Sequence, residues 1–168
     1  AVRCLKCSPN GELLASASAL TQPLDFFSPD DGARGAVHLW DVSSGQLQGI
    51  LEGHKRGVFS LTWSPDGTRL ATASADGSIK LWEVKTLQEI ATLDKHTGKV
   101  RSISWHPDGQ HLASADDGGE IFVWNLDTQI VAYTLKGHHG EVFDLDWAAD
   151  GCCLASAGKD GTVRLWDV

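Results

Sequence analysis

Short apolar runs separated by polar turn signals recur along the whole chain. Val58 to Trp63 is a β-prone run that ends at a Pro-Asp-Gly turn, and Arg69 to Ser74 is a second run that ends at Asp76-Gly77. A third run covers Ser78 to Val84, and a fourth, after a polar gap, covers Gln88 to Leu93. No helical period is sustained anywhere, so the pattern predicts units of four short strands.

This four-strand unit repeats with a period of 42 residues (82 − 40 = 42). Two interleaved ladders of tryptophans carry the period: Trp40, Trp82, Trp124 and Trp166 in one, and Trp63, Trp105 and Trp147 in the other. The turns that follow the second ladder repeat in phase: Ser64-Pro65-Asp66-Gly67, His106-Pro107-Asp108-Gly109 and Ala148-Ala149-Asp150-Gly151. Aromatic residues placed by chance would not bring their neighbours with them, so the chain is an internal repeat.

Paired residues at the ends of the strands indicate a family. Gly53-His54 and Gly137-His138 precede first strands, and Trp40-Asp41 and Trp166-Asp167 close third strands. With these pairs in order and spacing, nearly the whole chain resembles the WD-repeat family, whose repeats build β-propeller blades. The middle copies depart from the family pattern at solvent-facing or turn positions: Trp82-Glu83, Trp124-Asn125 and Lys95-His96.

The expected fold is therefore all-β, a β-propeller of four-stranded antiparallel blades with strands a to d running outward from the axis. Four blade cores are predicted, at about residues 1–51, 52–93, 94–135 and 136–168, with an insertion at 19–35 in the first. The chain begins in an a strand, Val2 to Cys7, and stops in a c strand, Val163 to Val168. Two apolar blade faces and one strand edge are thus left open, and such surfaces find partners or aggregate. We expect part of a seven- or eight-bladed ring, a half-ring that pairs with itself, or a closed four-bladed ring.

Ser or Thr, His and Asp recur together, as in a nucleophilic triad. An enzyme needs one such set, whereas this set returns with the blade period inside predicted strands, so a structural role is favoured. The resemblance implies that His bridges the Asp and the strand hydroxyl, which bonds the Trp indole. The residues are His54, Thr72, Asp76 and Trp82; His96, Ser114 and Trp124; and His138, Ser156, Asp160 and Trp166. In the third copy Gly occupies the expected Asp position, so either Asp117 substitutes through a shifted turn or that blade is looser.

The cysteines and remaining histidines suggest no metal site. Cys4 and Cys7 have CxxC spacing, but residues three apart on a strand point to opposite faces. Cys7 has the phase of Trp63 and is expected to be a small core substitute. Cys152-Cys153 has no second pair, and His106, His111 and His139 are scattered and expected at the surface. No Gly-rich phosphate loop is present, and no cofactor is predicted.

One segment breaks the period. Trp40 follows Cys7 by 33 positions, whereas Trp82 follows Trp63 by 19, so 33 − 19 = 14 residues are inserted in the b–c loop. The insertion is either a polar, disordered loop or, because Leu24, Phe26 and Phe27 are costly to leave in water, a docking element for a partner.

The resemblance also implies a partner surface, the rim that carries the b–c and d–a loops. Carried over position by position, Arg3, Phe59, Arg101 and Phe143 line the central opening, and Ala75 and Lys159 face the same way. Aromatic and Arg side chains dominate binding energy at interfaces. The alternative for Phe59 and Phe143 is partial burial between blades.

Composition narrows the functional classes. The 168 residues are 42% hydrophobic and 21% charged, as in globular proteins, and the net charge of −8 disfavours nucleic acid. No apolar run is long enough for a membrane helix. Four Cys without a framework weakly suggest a reducing compartment, the cytoplasm or nucleus. The absence of Met, even at position 1, suggests a processed or excised segment. We expect a non-catalytic protein–protein interaction scaffold; the alternative is a sensor or regulatory propeller module of a larger multidomain signalling protein.

Overall fold

A computed structural model describes residues 1–19 and 34–168 of the chain. Its strands form four antiparallel sheets in which sequence neighbours are always paired, three sheets having four strands and the last having three. The strands are β1 Val2–Cys7, β2 Leu13–Ala19, β3 Gly35–Asp41, β4 Leu47–His54; β5 Val58–Trp63, β6 Arg69–Ser74, β7 Ile79–Glu83, β8 Gln88–Leu93; β9 Val100–Trp105, β10 His111–Asp116, β11 Ile121–Asn125, β12 Ile130–Leu135; and β13 Val142–Trp147, β14 Cys153–Gly158, β15 Val163–Asp167. The predicted all-β fold of four blades is confirmed, and the sheets are called blades 1 to 4 below.

Most of the predicted insertion at 19–35 falls outside the part of the chain that the structure describes. Residues 20–33, which include Leu24, Phe26 and Phe27, lie outside the described residues. Among the residues that are described, no helix is long and apolar enough to cross a membrane.

Each a strand turns into its b strand through one recurring hydrogen-bonded turn. In blade 2 the Asp66 carboxylate accepts hydrogen bonds from the Ser64 hydroxyl at 2.6 Å and from the Thr68 backbone N–H at 3.0 Å. Gly67 has φ of 71°, in the left-handed region that favours glycine. The Ser-Pro-Asp-Gly sequence therefore holds the turn through hydrogen bonds between neighbouring residues.

The hydrophobic core lies between blades rather than inside them. Ile79 and Leu81 of β7 pack with Ile103 and Trp105 of β9, and each pair of successive blades forms a cluster of this kind. The middle strand β6 is buried from its second residue onward. Its small residues let two sheets approach from opposite sides, as the sequence predicted.

The innermost strands are joined by serine side chains. An a strand is the inner edge of its sheet, so its N–H groups on that side have no strand partner. The Ser102 hydroxyl of blade 3 accepts the N–H of Leu145 in blade 4 at 3.1 Å, and Ser104 accepts the N–H of Trp147 at 3.3 Å. Ser60 of blade 2 accepts the N–H of Ile103 at 3.3 Å. These bonds satisfy edge donors and connect neighbouring blades beside the cavity that β1, β5, β9 and β13 line, which is called the channel below.

The two ends of the blade array present unlike apolar faces. On β15, Val163 and Leu165 are each 73% exposed, whereas Leu81 at the Leu165 position of blade 2 is 2% exposed. On β1, Leu5 is 55% exposed, whereas Leu61 at the same position in blade 2 is fully buried. The β15 face thus corresponds to faces that elsewhere receive a following blade, and the β1 face to faces that pack on a preceding one.

The expectation that Cys7 is a small core residue is wrong. Cys7 is exposed, although Trp63 at the same position in blade 2 is 7% exposed. Trp63 is covered by blade 1, and its indole N–H donates to the Lys6 carbonyl at 3.0 Å. Cys7 lies on the β1 end face, and no described residue covers it in the way that blade 1 covers Trp63.

Candidate functional site

The repeated polar sets form hydrogen-bond relays that join the chain leading into a blade to the middle strands of that blade. In blade 2 the Trp82 indole N–H donates to Thr72 Oγ1 at 2.9 Å, and Thr72 Oγ1 lies 2.8 Å from His54 Nε2. His54 Nδ1 lies 3.1 Å from Asp76 Oδ2. A neutral imidazole that accepts from the hydroxyl and donates to the carboxylate satisfies every partner. The relay fastens the d–a loop to the b–c turn.

The same geometry recurs in blades 3 and 4. His138 lies 2.8 Å from the Ser156 hydroxyl and 3.0 Å from Asp160, and the Trp166 indole donates to Ser156 at 2.8 Å. His96 lies 2.7 Å from the Ser114 hydroxyl, to which the Trp124 indole donates at 2.7 Å. In blade 1 the corresponding indole, of Trp40, donates to Ser16 at 2.9 Å.

Both expectations for the third carboxylate are wrong, because Asp116 takes the role. Asp116 Oδ2 lies 3.0 Å from His96 Nδ1, and Asp116 Oδ1 accepts the N–H groups of Gly118 and Glu120 at 3.0 Å each. Asp117 instead accepts the N–H of Lys99 at 3.0 Å. Blade 3 is not looser, because its relay distances match those of the other blades.

The carboxylates of the relays are held in the charged form. Burial raises the pKa of Asp76, but hydrogen bonds from His54 and Ser78 outweigh it and leave the pKa well below its usual range. At Asp116 burial is likewise outweighed by the His96 and Glu120 hydrogen bonds, so its pKa is lowered. Hydrogen bonds from Thr162 and the His139 N–H lower the pKa of Asp160.

The hydroxyls of the relays are out of reach of a substrate. Thr72 and Ser114 are fully buried, and Ser156 is 2% exposed. A nucleophile must meet its substrate within contact distance, so these groups brace the blades.

The candidate interaction site lies where the a strands begin, at the rim of the channel. Arg3, Phe59, Arg101 and Phe143, together with Lys159, are called the rim cluster below. The first four line one cavity of about 290 Å³. The Arg3 and Arg101 guanidinium carbons lie 5.0 and 4.8 Å from the Phe59 ring centre, one cation on each side in cation–π contact. The positions carried over from the resemblance therefore converge in space.

Glu141 connects two members of the rim cluster, Arg101 and Lys159. Its carboxylate lies 3.1 Å from Arg101 Nη2 and 3.2 Å from Lys159 Nζ. The hydrogen bond from Lys159 and the nearby Arg101 charge lower the pKa of Glu141. The sequence did not single out Glu141, because Gly57 and Lys99 occupy this position in the preceding copies and no pattern marks it.

The aromatic members of the rim cluster differ in exposure. Phe143 is 53% exposed, and Phe59 is half-buried between its two arginines. The Nε of Arg101 is buried and has no hydrogen-bond partner among the described residues. An exposed apolar ring that lines the same cavity as two arginine side chains is what a binding surface offers.

A second opening lies on the same rim, between the loops of blades 2 and 3. Ala75 was expected to face the central opening but is 5% exposed and lies in the wall of this groove of about 600 Å³. Lys55, Arg56 and Lys99 are its basic lining residues, and Asp117 is an acidic one.

A cavity of about 760 Å³ opens elsewhere, between turns of blades 1 and 2, and includes Leu13, Asp41, Val42 and Leu87. The Asp41 carboxylate there is already satisfied by Ser43 and Ser44. We therefore place the candidate site at the rim.

Comparison with known proteins agrees with this architecture. A family model described as WD domain, G-beta repeat matches residues 1–22, 45–83, 87–125 and 130–167. WD repeat-containing protein 1 of Xenopus tropicalis is 36% identical over 78 residues, which are 45% of this chain and 10% of that protein. Actin-interacting protein 1 of Drosophila melanogaster is 36% identical over 77 residues, 45% of this chain and 10% of that protein.

Two further relatives match shorter or similar stretches. Pre-rRNA-processing protein IPI3 of Mycosarcoma maydis is 34% identical over 73 residues, 44% of this chain and 10% of that protein. Coronin-7 of Rattus norvegicus is 48% identical over 40 residues, 24% of this chain and 4% of that protein. The matched stretches thus span a tenth or less of the length of these relatives.

Proposed function

We propose that this chain, which belongs to the WD-repeat family, is a protein-interaction scaffold whose rim cluster binds a peptide segment of a protein partner. The observation that supports the proposal most directly is Phe143, a large apolar ring 53% exposed beside Arg101. Aromatic and Arg side chains contribute most of the binding energy at protein interfaces. Stiff blades hold these groups in place, so little ordering cost falls on the scaffold.

The chemistry of the rim cluster specifies the segment. The Lys159 side chain is 64% exposed, and its ammonium group has three donors, of which the contact with Glu141 uses one. A carboxylate of the partner would pair with Lys159, and an apolar side chain would cover Phe143. We therefore propose an extended segment that combines one apolar residue with an acidic one. The net charge of −8 argues against nucleic acid as the partner.

We also propose that binding occurs without catalysis. Every Ser–His–Asp arrangement found in the described ranges belongs to a relay whose hydroxyl is buried, and the arrangement is repeated rather than unique. We propose the cytoplasm or nucleus as the compartment, because the four cysteines are unpaired.

The partner class, but no individual partner, is taken from the relatives. The name of actin-interacting protein 1 gives a protein partner for that protein, with which this chain shares 77 residues. Because the relatives are far longer than the matched stretches, the alternative also stands as a proposal: the blades act as a sensor or regulatory module of a larger protein. Both roles use the same rim.

A peptide selection tests the rim. Random peptides displayed on phage are selected against the wild-type chain, and the affinity of the best peptide is measured for variants. Phe143→Ala, alone or with Phe59→Ala, is expected to weaken binding at least about tenfold. The melting temperature of Phe143→Ala should hardly change, because the ring is largely exposed.

The matched control is Tyr133→Ala, an aromatic residue 54% exposed on β12, the outer strand of blade 3. It should leave affinity unchanged. Equal losses for the two variants, or peptides that bind Phe143→Ala as well as wild type, would contradict a rim site.

The end faces support a second interaction, with another copy of the chain. We propose that β1 of one copy packs on the β15 face of another, as β9 packs on β7 inside the chain. Native mass spectrometry should then show dimers that Leu165→Lys abolishes. Ile130→Lys, at a residue 65% exposed on the outer strand β12, should not affect them. A monomer at every concentration would argue against the pairing.

A further inference from the structure

Two histidines and an aspartate converge at the turn between β9 and β10. His106 Nδ1 lies 3.0 Å from Asp108 Oδ1, and His111 Nδ1 lies 2.7 Å from Asp108 Oδ2. One ligand atom from each of the three residues lies within 4.8 Å of those of the other two. The sequence treated these histidines singly, as surface residues, because β10 had not yet brought His111 back beside the turn.

We propose that this turn binds a divalent first-row transition-metal ion, of which Zn²⁺ is the test case. Two imidazoles and one carboxylate are a common protein donor set for zinc and leave a further position for water. Ligands at about 2.1 Å from one ion lie about 3.0–3.4 Å apart for angles of roughly 90–109°. The His106–Asp108 separation of 3.0 Å lies at the lower end of that range, and the His111–Asp108 separation of 2.7 Å would widen by about 0.3 Å when the ion binds.

The orientation of His106 supports the proposal independently. Its Nε2 lies 3.1 Å from the Gly151 carbonyl of blade 4, so the ring donates there and leaves the Nδ1 lone pair for the turn. The ring also meets Trp147 edge-on at 4.5 Å between centres. A histidine ligand held through its other nitrogen by a backbone carbonyl is typical of metal sites.

The contacts of His106 Nδ1 favour a bound cation. His106 Nδ1 accepts a hydrogen bond from the Asp108 N–H at 3.0 Å, and the Asp108 carboxylate also lies 3.0 Å from Nδ1. The nitrogen lone pair and the negatively charged carboxylate therefore face each other. A metal ion would replace that hydrogen bond and join the two groups.

The three side chains are accessible to an ion from solvent. Their exposed fractions are 19% for His106, 35% for Asp108 and 29% for His111. Binding of the ion would hold the β9–β10 turn in one conformation. His106 of this turn already contacts the next blade through the Gly151 carbonyl.

Blade 2 supplies a natural metal-free version of the turn. There Ser64 and Arg69 stand at the positions of His106 and His111. Arg69 makes the contact to the next blade, with its guanidinium 3.0 Å from the Gly109 carbonyl and over the Trp105 ring. The double variant His106→Ser/His111→Arg therefore copies a turn that this fold already contains and removes both nitrogen ligands.

Zinc titration by calorimetry, near neutral pH, tests the site. The background carries Cys152→Ser and Cys153→Ser, because these thiols follow Gly151 on the neighbouring turn. One Zn²⁺ per chain is expected, with affinity at least about tenfold weaker in the double variant and in His111→Gln. The single variant, at a partly exposed residue, keeps the test valid if the double variant unfolds.

Long-range ¹H–¹⁵N spectra of the imidazoles provide a second readout. Zinc should shift Nδ1 of both His106 and His111, while His139 remains unchanged. Undiminished affinity in His111→Gln would assign the ion to the remaining cysteines or elsewhere and overturn the proposal. So would an absence of zinc binding by the parent protein, which would leave only a hydrogen-bonded turn.

Discussion

Replacement of Asp116 by Ala should destabilise the protein far more than the same change at its neighbour Asp117. The His96 and Asp116 side chains are 0% and 1% exposed, so the imidazole N–H would lose its partner where water cannot replace it. Asp117 is half-buried, and its carboxylate accepts a hydrogen bond from the Lys99 N–H.

The magnitude follows from these bonds. A hydrogen bond to a charged group contributes about 1.5–3 kcal/mol, and a buried donor left unpaired costs about 1–3 kcal/mol. The N–H groups of Gly118 and Glu120, which Asp116 also binds, lie nearer the surface and regain water. We expect Asp116→Ala to lower the free energy of unfolding by about 2–4 kcal/mol and Asp117→Ala by about 1 kcal/mol or less.

Guanidinium denaturation followed by tryptophan fluorescence and circular dichroism measures the difference. Coincident transitions and an unchanged m-value are required, because repeat proteins can unfold in parts. Asp116→Asn keeps an acceptor without the charge and should fall between Asp116→Ala and wild type. Equal losses for Asp116→Ala and Asp117→Ala, or a loss below about 0.5 kcal/mol for Asp116→Ala, would refute the assignment of the relay.

Two further predictions concern acid and backbone strain. Because the pKa values of Asp76 and Asp116 are lowered by folding, their stabilisation is present above about pH 4 and is lost as the pH falls toward the folded values. The denaturation midpoint should drop steeply below about pH 4 and less steeply in Asp116→Ala, and parallel curves would contradict this linkage. Gln129 has φ of 58°, a left-handed conformation that costs a non-glycine residue about 1 kcal/mol, so Gln129→Gly should raise the melting temperature. Asp127→Gly, in the same exposed turn without a positive φ, should lower it, and a lowered value for both would show that Gln129 is not strained.

The repeat and its strands could be predicted because short stretches of sequence determine both. The period of the tryptophans, the Pro-Asp-Gly turns and the alternation of apolar residues each depend on neighbours in sequence. Val58 to Trp63 and Gln88 to Leu93 were predicted with the bounds that the structure has, and Ser78 to Val84 was one residue too long at each end. The relay in blades 2 and 4 was implied by the family resemblance, and its residues could be found because they keep one spacing.

The misses occur where a contact depends on the path of the chain in space. Asp116 follows Ser114 by two residues, whereas Asp76 follows Thr72 by four, so the spacing rule pointed beyond the residue used. Burial of Cys7 was inferred from its position in the repeat. At the same position in blade 2, however, Trp63 is buried by the preceding blade. Glu141 and the His106–His111 pair were missed because their partners come from another strand or from a turn closing on itself.

The serines beside the channel imply a separation between what holds the molecule together and what it can recognise. Ser60 and Ser104 each accept an edge N–H from the next sheet, so exchanging them for side chains without an acceptor would leave a backbone donor unpaired. Related sequences should therefore keep small hydroxyl residues at this depth. Changes of binding preference should instead accumulate at the rim, among exposed side chains such as Phe143 that make none of these bonds between blades.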